Sequence, residues 1–179
     1  MNSIYSYWQM NWTALISMVL LIILFIKYHN FTLHKSYGFF AIAIALLVLC
    51  FFSPLHVLSA HYLFSAHMVV HVILLLIVGP LLVLSLWKED GKTNPIILKI
   101  SKVLYKKPVL GWLAGVGIMW FWHLPFVFNY CMSAMHTSQT LSAVLRALES
   151  TSLIVAGMLF VWSIISPVKE YRLPALNGV

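Results

Sequence analysis

Of 179 residues, 62% are hydrophobic and only 8% are charged, proportions that exclude a soluble globular domain and describe an integral membrane protein. The formal net charge of +7 would suit a nucleic-acid partner, but the basic residues flank the apolar runs and ten of the eleven fall on one side, so membrane orientation accounts for them better. Two cysteines, Cys50 and Cys131, form no C-x-x-C motif and call for no disulfide.

Taken in chain order, the first apolar run covers about 11–27. No Lys or Arg precedes it and no small-residue cleavage site follows, so it reads as a retained helix and not a signal peptide. Further runs follow at about 38–54, 62–86, 108–128 and 145–166, each close to the roughly 20 residues a membrane helix needs. Between the third and fourth, Ile96, Ile97, Ile100, Val103 and Leu104 alternate with lysines as in a short amphipathic helix on the membrane surface. Within the fourth, Gly111, Gly115 and Gly117 suggest close helix packing. The whole of 1–179 reads as one all-α, polytopic transmembrane bundle of five spans.

Charge orients it. Lys27 and Lys35 lie between runs one and two, six lysines from Lys88 to Lys107 lie between three and four, and Lys169 and Arg172 follow run five, so ten of the eleven basic residues fall on one side. That side is cytoplasmic under the positive-inside rule, which places the amino terminus outside and the carboxyl terminus inside. Tyr5, Tyr7, Trp8 and Trp12 would line the outer interface, and Tyr28, Tyr37, Trp87 and Tyr105 the inner one. Arg146, at the outer start of run five, is the exception. The basic connection 88–107 would also meet anionic lipid head groups.

Six of the eight histidines collect at or below the outer surface. His29 and His34, in the first inner connection, read as solvated; so do His56, His61 and His136 in outer ones. His67 and His71 differ: they are four residues apart on one helix face, inside apolar sequence, where an imidazole is costly without a partner. At 1.5 Å of rise per residue they would lie roughly 8 and 14 Å below the start of the span. His123 sits in Trp122-His123-Leu124-Pro125, where Pro125 should kink the helix and let a side chain turn toward a buried site. Met68 and Glu149 are on the same side. Imidazoles with a thioether suit copper, so His67, His71, His123, Met68 and Glu149 form a candidate metal site. For Glu149 a local ion pair with Arg146 competes with that role, slightly favoured by the i, i+3 spacing. For His123 alone, a plain helix–helix hydrogen bond stands level with metal ligation. No Ser/His/Asp or Cys/His arrangement and no phosphate-binding loop occurs, so no enzyme activity is expected.

His67-Met68-Val69-Val70-His71 running into Gly79-Pro80-Leu81-Leu82, together with Trp122-His123-Leu124-Pro125, resembles the polytopic CtaG family of cytochrome c oxidase assembly proteins. The stretch from Leu145 to Pro167, with Glu149, Ala156-Gly157 and Trp162, is similar in character to the family's next helix. The similarity covers roughly 53–170. It differs from the single-span copper-delivery proteins of the same name, whose Cys-x-Cys motif is absent. Ser150 stands where family members often carry a second histidine, and members tend to continue through about two more spans, so the sequence reads as a short variant or a piece of a longer one. The resemblance implies a haem–copper oxidase subunit as partner, an extracytoplasmic copper donor, and a place in a bacterial cytoplasmic membrane.

Three functions follow: a copper-handling assembly factor, a haem-b electron carrier using His71 and His123 as axial ligands, or a metal-free membrane scaffold with hydrogen-bonded histidines. In the second, His67 has no role, because two histidines on one helix cannot ligate opposite faces of one haem. The first uses the most residues.

Overall fold

The computed structural model describes residues 12–29, 36–61, 63–87 and 94–173. Among them all regular structure is helical: α1 (Trp12–His29), α2 (Ser36–Phe52), α3 (Pro54–His61), α4 (Phe64–Ile73), a π-helical turn (Leu74–Val78), α5 (Gly79–Ser85), α6 (Pro95–Lys106), α7 (Pro108–His123), α8 (Pro125–Thr137) and α9 (Gln139–Ile165), then a 3₁₀ turn (Lys169–Tyr171). Three helical rods are long and apolar enough to cross a bilayer: α1, the 22-residue run Phe64–Ser85, and the 27-residue α9. The pair α7 and α8, bent by 61°, makes a fourth if it is one span, while α2 is apolar but 17 residues long. Exposed apolar side chains such as Ile16, Leu20, Ile23, Trp112 and Trp120 cover the outside, as lipid-facing surfaces do.

Several connections between the apolar runs are themselves helical. The segment 55–61 lies in α3, and 129–144 is divided between α8 and the start of α9, so the last long helix begins at Gln139, not near 145. Ser138 caps it, its hydroxyl accepting from the Leu141 N–H at 3.3 Å. The kink expected at Pro125 is a complete break. Proline disfavours the helical region for the residue before it, and Leu124 is extended at φ −60°, ψ 132°, so α7 stops at His123 and α8 starts afresh. Pro80 acts differently. It has no N–H to offer one turn back, and the ladder upstream widens into a π turn in which the Gly79 N–H reaches the Leu74 carbonyl.

Helix α9 runs through the centre, against α7, α5, the π turn, α8 and α6. Its closest approach is at Gly157: a Cβ there would collide with the Leu75 backbone, and one on Gly79 would lie 2.7 Å from the Gly157 carbonyl carbon. Gly111 and Gly115 likewise sit against Leu159 and Phe160, whereas Gly117 faces open space and has no packing role.

At the carboxyl-terminal end of the Phe64–Ser85 rod, the carbonyls of Ser85, Leu86 and Trp87, at and just past the end of α5, are each met by a side chain. His29 Nε2 reaches Ser85 O at 2.8 Å, the Tyr28 hydroxyl donates to Leu86 O at 3.3 Å, and the Ser36 hydroxyl to Trp87 O at 2.6 Å. His29 is therefore no solvated loop residue. It is 2% exposed and flanked by the rings of Phe25 and Tyr37, because the end of α1 is pressed onto the end of α5. Helix α6 packs at this same end through Ile97 and Leu104, and the Trp162 indole donates to Ser101 at 2.9 Å. Its Lys99, Lys102 and Lys106 stay exposed. Arg172 and Lys169 lie 5.3 and 5.7 Å from the ring of Trp87.

Candidate metal centre

The site lies at the opposite end of the Phe64–Ser85 rod. His67 and His71 project from one face of α4, with ring centroids 4.1 Å apart. His123 comes from the last residue of α7, its ring 5.3 Å from His71 and 6.2 Å from His67. One nitrogen from each of the three rings lies within 4.8 Å of the other two. Burial is graded: the His67 side chain is 24% exposed, Glu149 18% and His71 3%, which makes a rim and a floor.

Hydrogen bonds restrict which nitrogens can do what. The Met119 carbonyl, 2.7 Å from His123 Nδ1, can only accept, so Nδ1 carries the proton and a neutral ring keeps a lone pair on Nε2. That nitrogen faces the Met68 sulfur at 3.1 Å. Two lone-pair donors point at each other there, an arrangement that a shared cation relieves. Glu149 Oε1 stands 3.2 Å from His71 Nε2 and 3.7 Å from His67 Nε2. The other His71 nitrogen, Nδ1, is buried with no hydrogen-bond partner, a position that costs about 1–3 kcal/mol when left unsatisfied.

These donors fit a transition-metal ion. The 3.1 Å separation of His123 Nε2 from the Met68 sulfur is that of neighbouring ligands at metal bonds of about 2.0–2.3 Å. The 4.8 Å outer limit of the nitrogen set requires the rings to close by about an ångström, within the reach of small side-chain rotations.

Glu149 does not pair with Arg146. The Arg146 guanidinium donates to Ser142 at 3.2 Å, one turn back along α9, while the carboxylate turns inward to the two imidazoles. Three further residues, Trp122, Ser152 and Phe64, support the site. The Trp122 indole donates to the Ser152 hydroxyl at 2.8 Å, and that hydroxyl donates to the Glu149 carbonyl at 2.8 Å. This chain ties α7 to the turn of α9 that carries the carboxylate. Phe64 packs its ring 6.1 Å from His67 and 6.4 Å from His123. Adjacency to His123 and the i+3 step from Glu149 were the available signals for Trp122 and Ser152.

The remaining residues of the sequence reading lie elsewhere. Cys50 is buried in the core on α2, and Cys131 is a half-buried free thiol on α8. His56 packs against Phe51 on α3. Tyr5, Tyr7, Trp8, His34, Lys35, Lys88 and Lys92, and the side chains of His61 and His136, are outside the described residues.

No curated protein and no solved structure matches the chain. A family model does: that of the cytochrome c oxidase caa3 assembly factor (Caa3_CtaG) matches residues 27–178, which with the paired histidines and the Trp-His-Leu-Pro break makes this chain a member of that family.

Proposed function

We propose that this oxidase assembly factor binds copper at His67, His71 and His123, with Met68 beside them, and hands it to a haem–copper oxidase subunit in the same membrane. The observation that carries the reading is the convergence of three imidazoles from two helices on one half-buried pocket, with a thioether on the free nitrogen of His123. Imidazole and thioether together suit copper in either oxidation state. His67, at the rim, would meet the incoming ion from an extracytoplasmic donor, and His71, at the floor, would hold it away from water. In this reading the chain crosses the membrane five times, amino terminus outside, and the site opens on the outer face of a bacterial cytoplasmic membrane. Helix α6, with its exposed lysines, would rest on the inner face among anionic head groups.

The haem-carrier alternative has less support. The Met68 sulfur occupies the position in front of His123 Nε2 that a haem iron would need, and His67 lies against His71 where the macrocycle would have to pass.

The deciding experiment is metal analysis of the purified protein beside a His67→Ala/His71→Ala variant, with assembled caa3-type oxidase measured in cells carrying each. Copper in the wild type, none in the variant, and loss of copper-loaded oxidase despite normal membrane insertion is the expected result. Full oxidase assembly with the inserted double variant would refute the site, and a Soret band in the purified protein would favour haem.

A further inference from the structure

Resting on the metal-site reading above, we infer that Glu149 is not a ligand: it is the acceptor that fixes the tautomer of His71, so that His71 binds the metal through its buried Nδ1. An ionised carboxylate can only accept, so the 3.2 Å contact with His71 Nε2 requires a proton on that nitrogen. In a neutral imidazole the lone pair then resides on Nδ1, the atom that is buried and has no hydrogen-bond partner. A metal at Nδ1 gives both nitrogens a partner at once.

The opposite assignment does worse on each count. With the metal on Nε2, the proton moves to Nδ1, where no acceptor is within reach, and the carboxylate loses its closest donor. An imidazolium also leaves Nδ1–H buried and unpartnered. Among the described residues no Lys or Arg pairs with Glu149, and Arg146 donates to Ser142 instead. The three histidines already bring one nitrogen each within 4.8 Å of the others without the carboxylate.

His123 uses the same device with the nitrogens exchanged. Its Nδ1–H is engaged by the Met119 carbonyl, which presents Nε2 to the pocket. Metal-binding histidines commonly give their second N–H to a carboxylate or a carbonyl, which sets ring orientation and raises ligand basicity. Here α4 would use the carboxylate and α7 the carbonyl. Glu149, 3.7 Å from His67 Nε2, can steady that ring too.

Two measurements on the detergent-solubilised full chain test this. The first is Cu(I) affinity, by anaerobic competition with a chromophoric cuprous chelator, for wild type, Glu149→Gln and Glu149→Leu. Gln keeps a carbonyl acceptor for the His71 N–H and should stay within about tenfold of wild type, while Leu should lose about 10–100-fold. The second needs no variant at Glu149: long-range ¹H–¹⁵N spectra of ¹⁵N-histidine-labelled protein with and without Cu(I), His71 assigned with His71→Ala. Cu(I) should shift His71 Nδ1 while Nε2 keeps its proton. Coordination through His71 Nε2, or a Gln variant as weak as the Leu variant, would overturn the inference and leave the metal site standing. Failure of the wild type to bind Cu(I) at all would overturn both.

Discussion

Replacing Gly157 by alanine tests whether the seam between α9 and the π turn sets the geometry of the histidine site. A Cβ at 157 would lie 2.8 Å from the Leu75 carbonyl carbon and 2.9 Å from its Cα, against 3.4–4 Å for ordinary contact. Both neighbours are backbone, so no side chain can swing aside, and the two helices must part by about 1 Å. Overpacking of this kind costs about 1–3 kcal/mol, and alanine's better helix propensity returns at most about 1 kcal/mol. Because only backbone can yield, the cost falls in the upper part of that range, and the net loss of about 1–2 kcal/mol corresponds to a fall in Tm of about 2–8 °C for a chain of this size. The function should fall with it. Leu75 is one turn from His71, and Glu149 lies about 12 Å along α9 from Gly157, so a separation of this size would stretch the 3.2 Å His71–Glu149 contact past hydrogen-bonding reach. Thermal unfolding in detergent, paired with Cu(I) competition, reads both effects. Gly117→Ala is the control, because nothing lies within 4 Å of its Cβ position, and it should match or slightly exceed wild-type stability. A Gly157→Ala protein that melts within a degree of wild type and binds Cu(I) equally well would refute the reasoning.

Met68→Leu preserves volume and removes the sulfur; stability should change by less than about 1.5 kcal/mol, while competition titration should show Cu(I) binding weakened about tenfold or more and Zn(II) binding little changed. Trp162→Phe removes the indole donor to the buried Ser101 hydroxyl, at a cost of about 1–2 kcal/mol, and limited proteolysis should then cut more readily around α6. A cysteine at Lys99, on the exposed face of α6, should react with a membrane-impermeant thiol reagent only from the cytoplasmic side. Labelling from outside in intact cells would invert the proposed orientation.

Local pattern carried much of this protein. Apolar runs separated by lysines announce membrane helices because lipid leaves the backbone no other partners, and that physics acts on each segment alone. The i, i+4 spacing of His67 and His71 puts them on one face of α4 whatever surrounds the helix. Pro125 predicted a kink beside His123 for an equally local reason, its missing N–H and its clash with the preceding turn. Family membership was legible through the same short motifs.

Partner choice was not legible, because it depends on which helices come together. Arg146 and Glu149 are three residues apart and looked like a pair, yet the packing of α9 on α4 offers the carboxylate two imidazoles and leaves the guanidinium to Ser142. His29 looked solvated, yet α1 and α5 end side by side, and a row of leftover carbonyls draws it under cover. That Met68 would meet His123, from a residue 55 positions away, follows from the crossing of α4 and α7 and from no spacing in the sequence. Sequence alone decided which residues are costly in a membrane; the tertiary structure decided how each cost is met, since hydrogen bonds and ligand sets are satisfied across helices and the chain encodes their meeting only through packing.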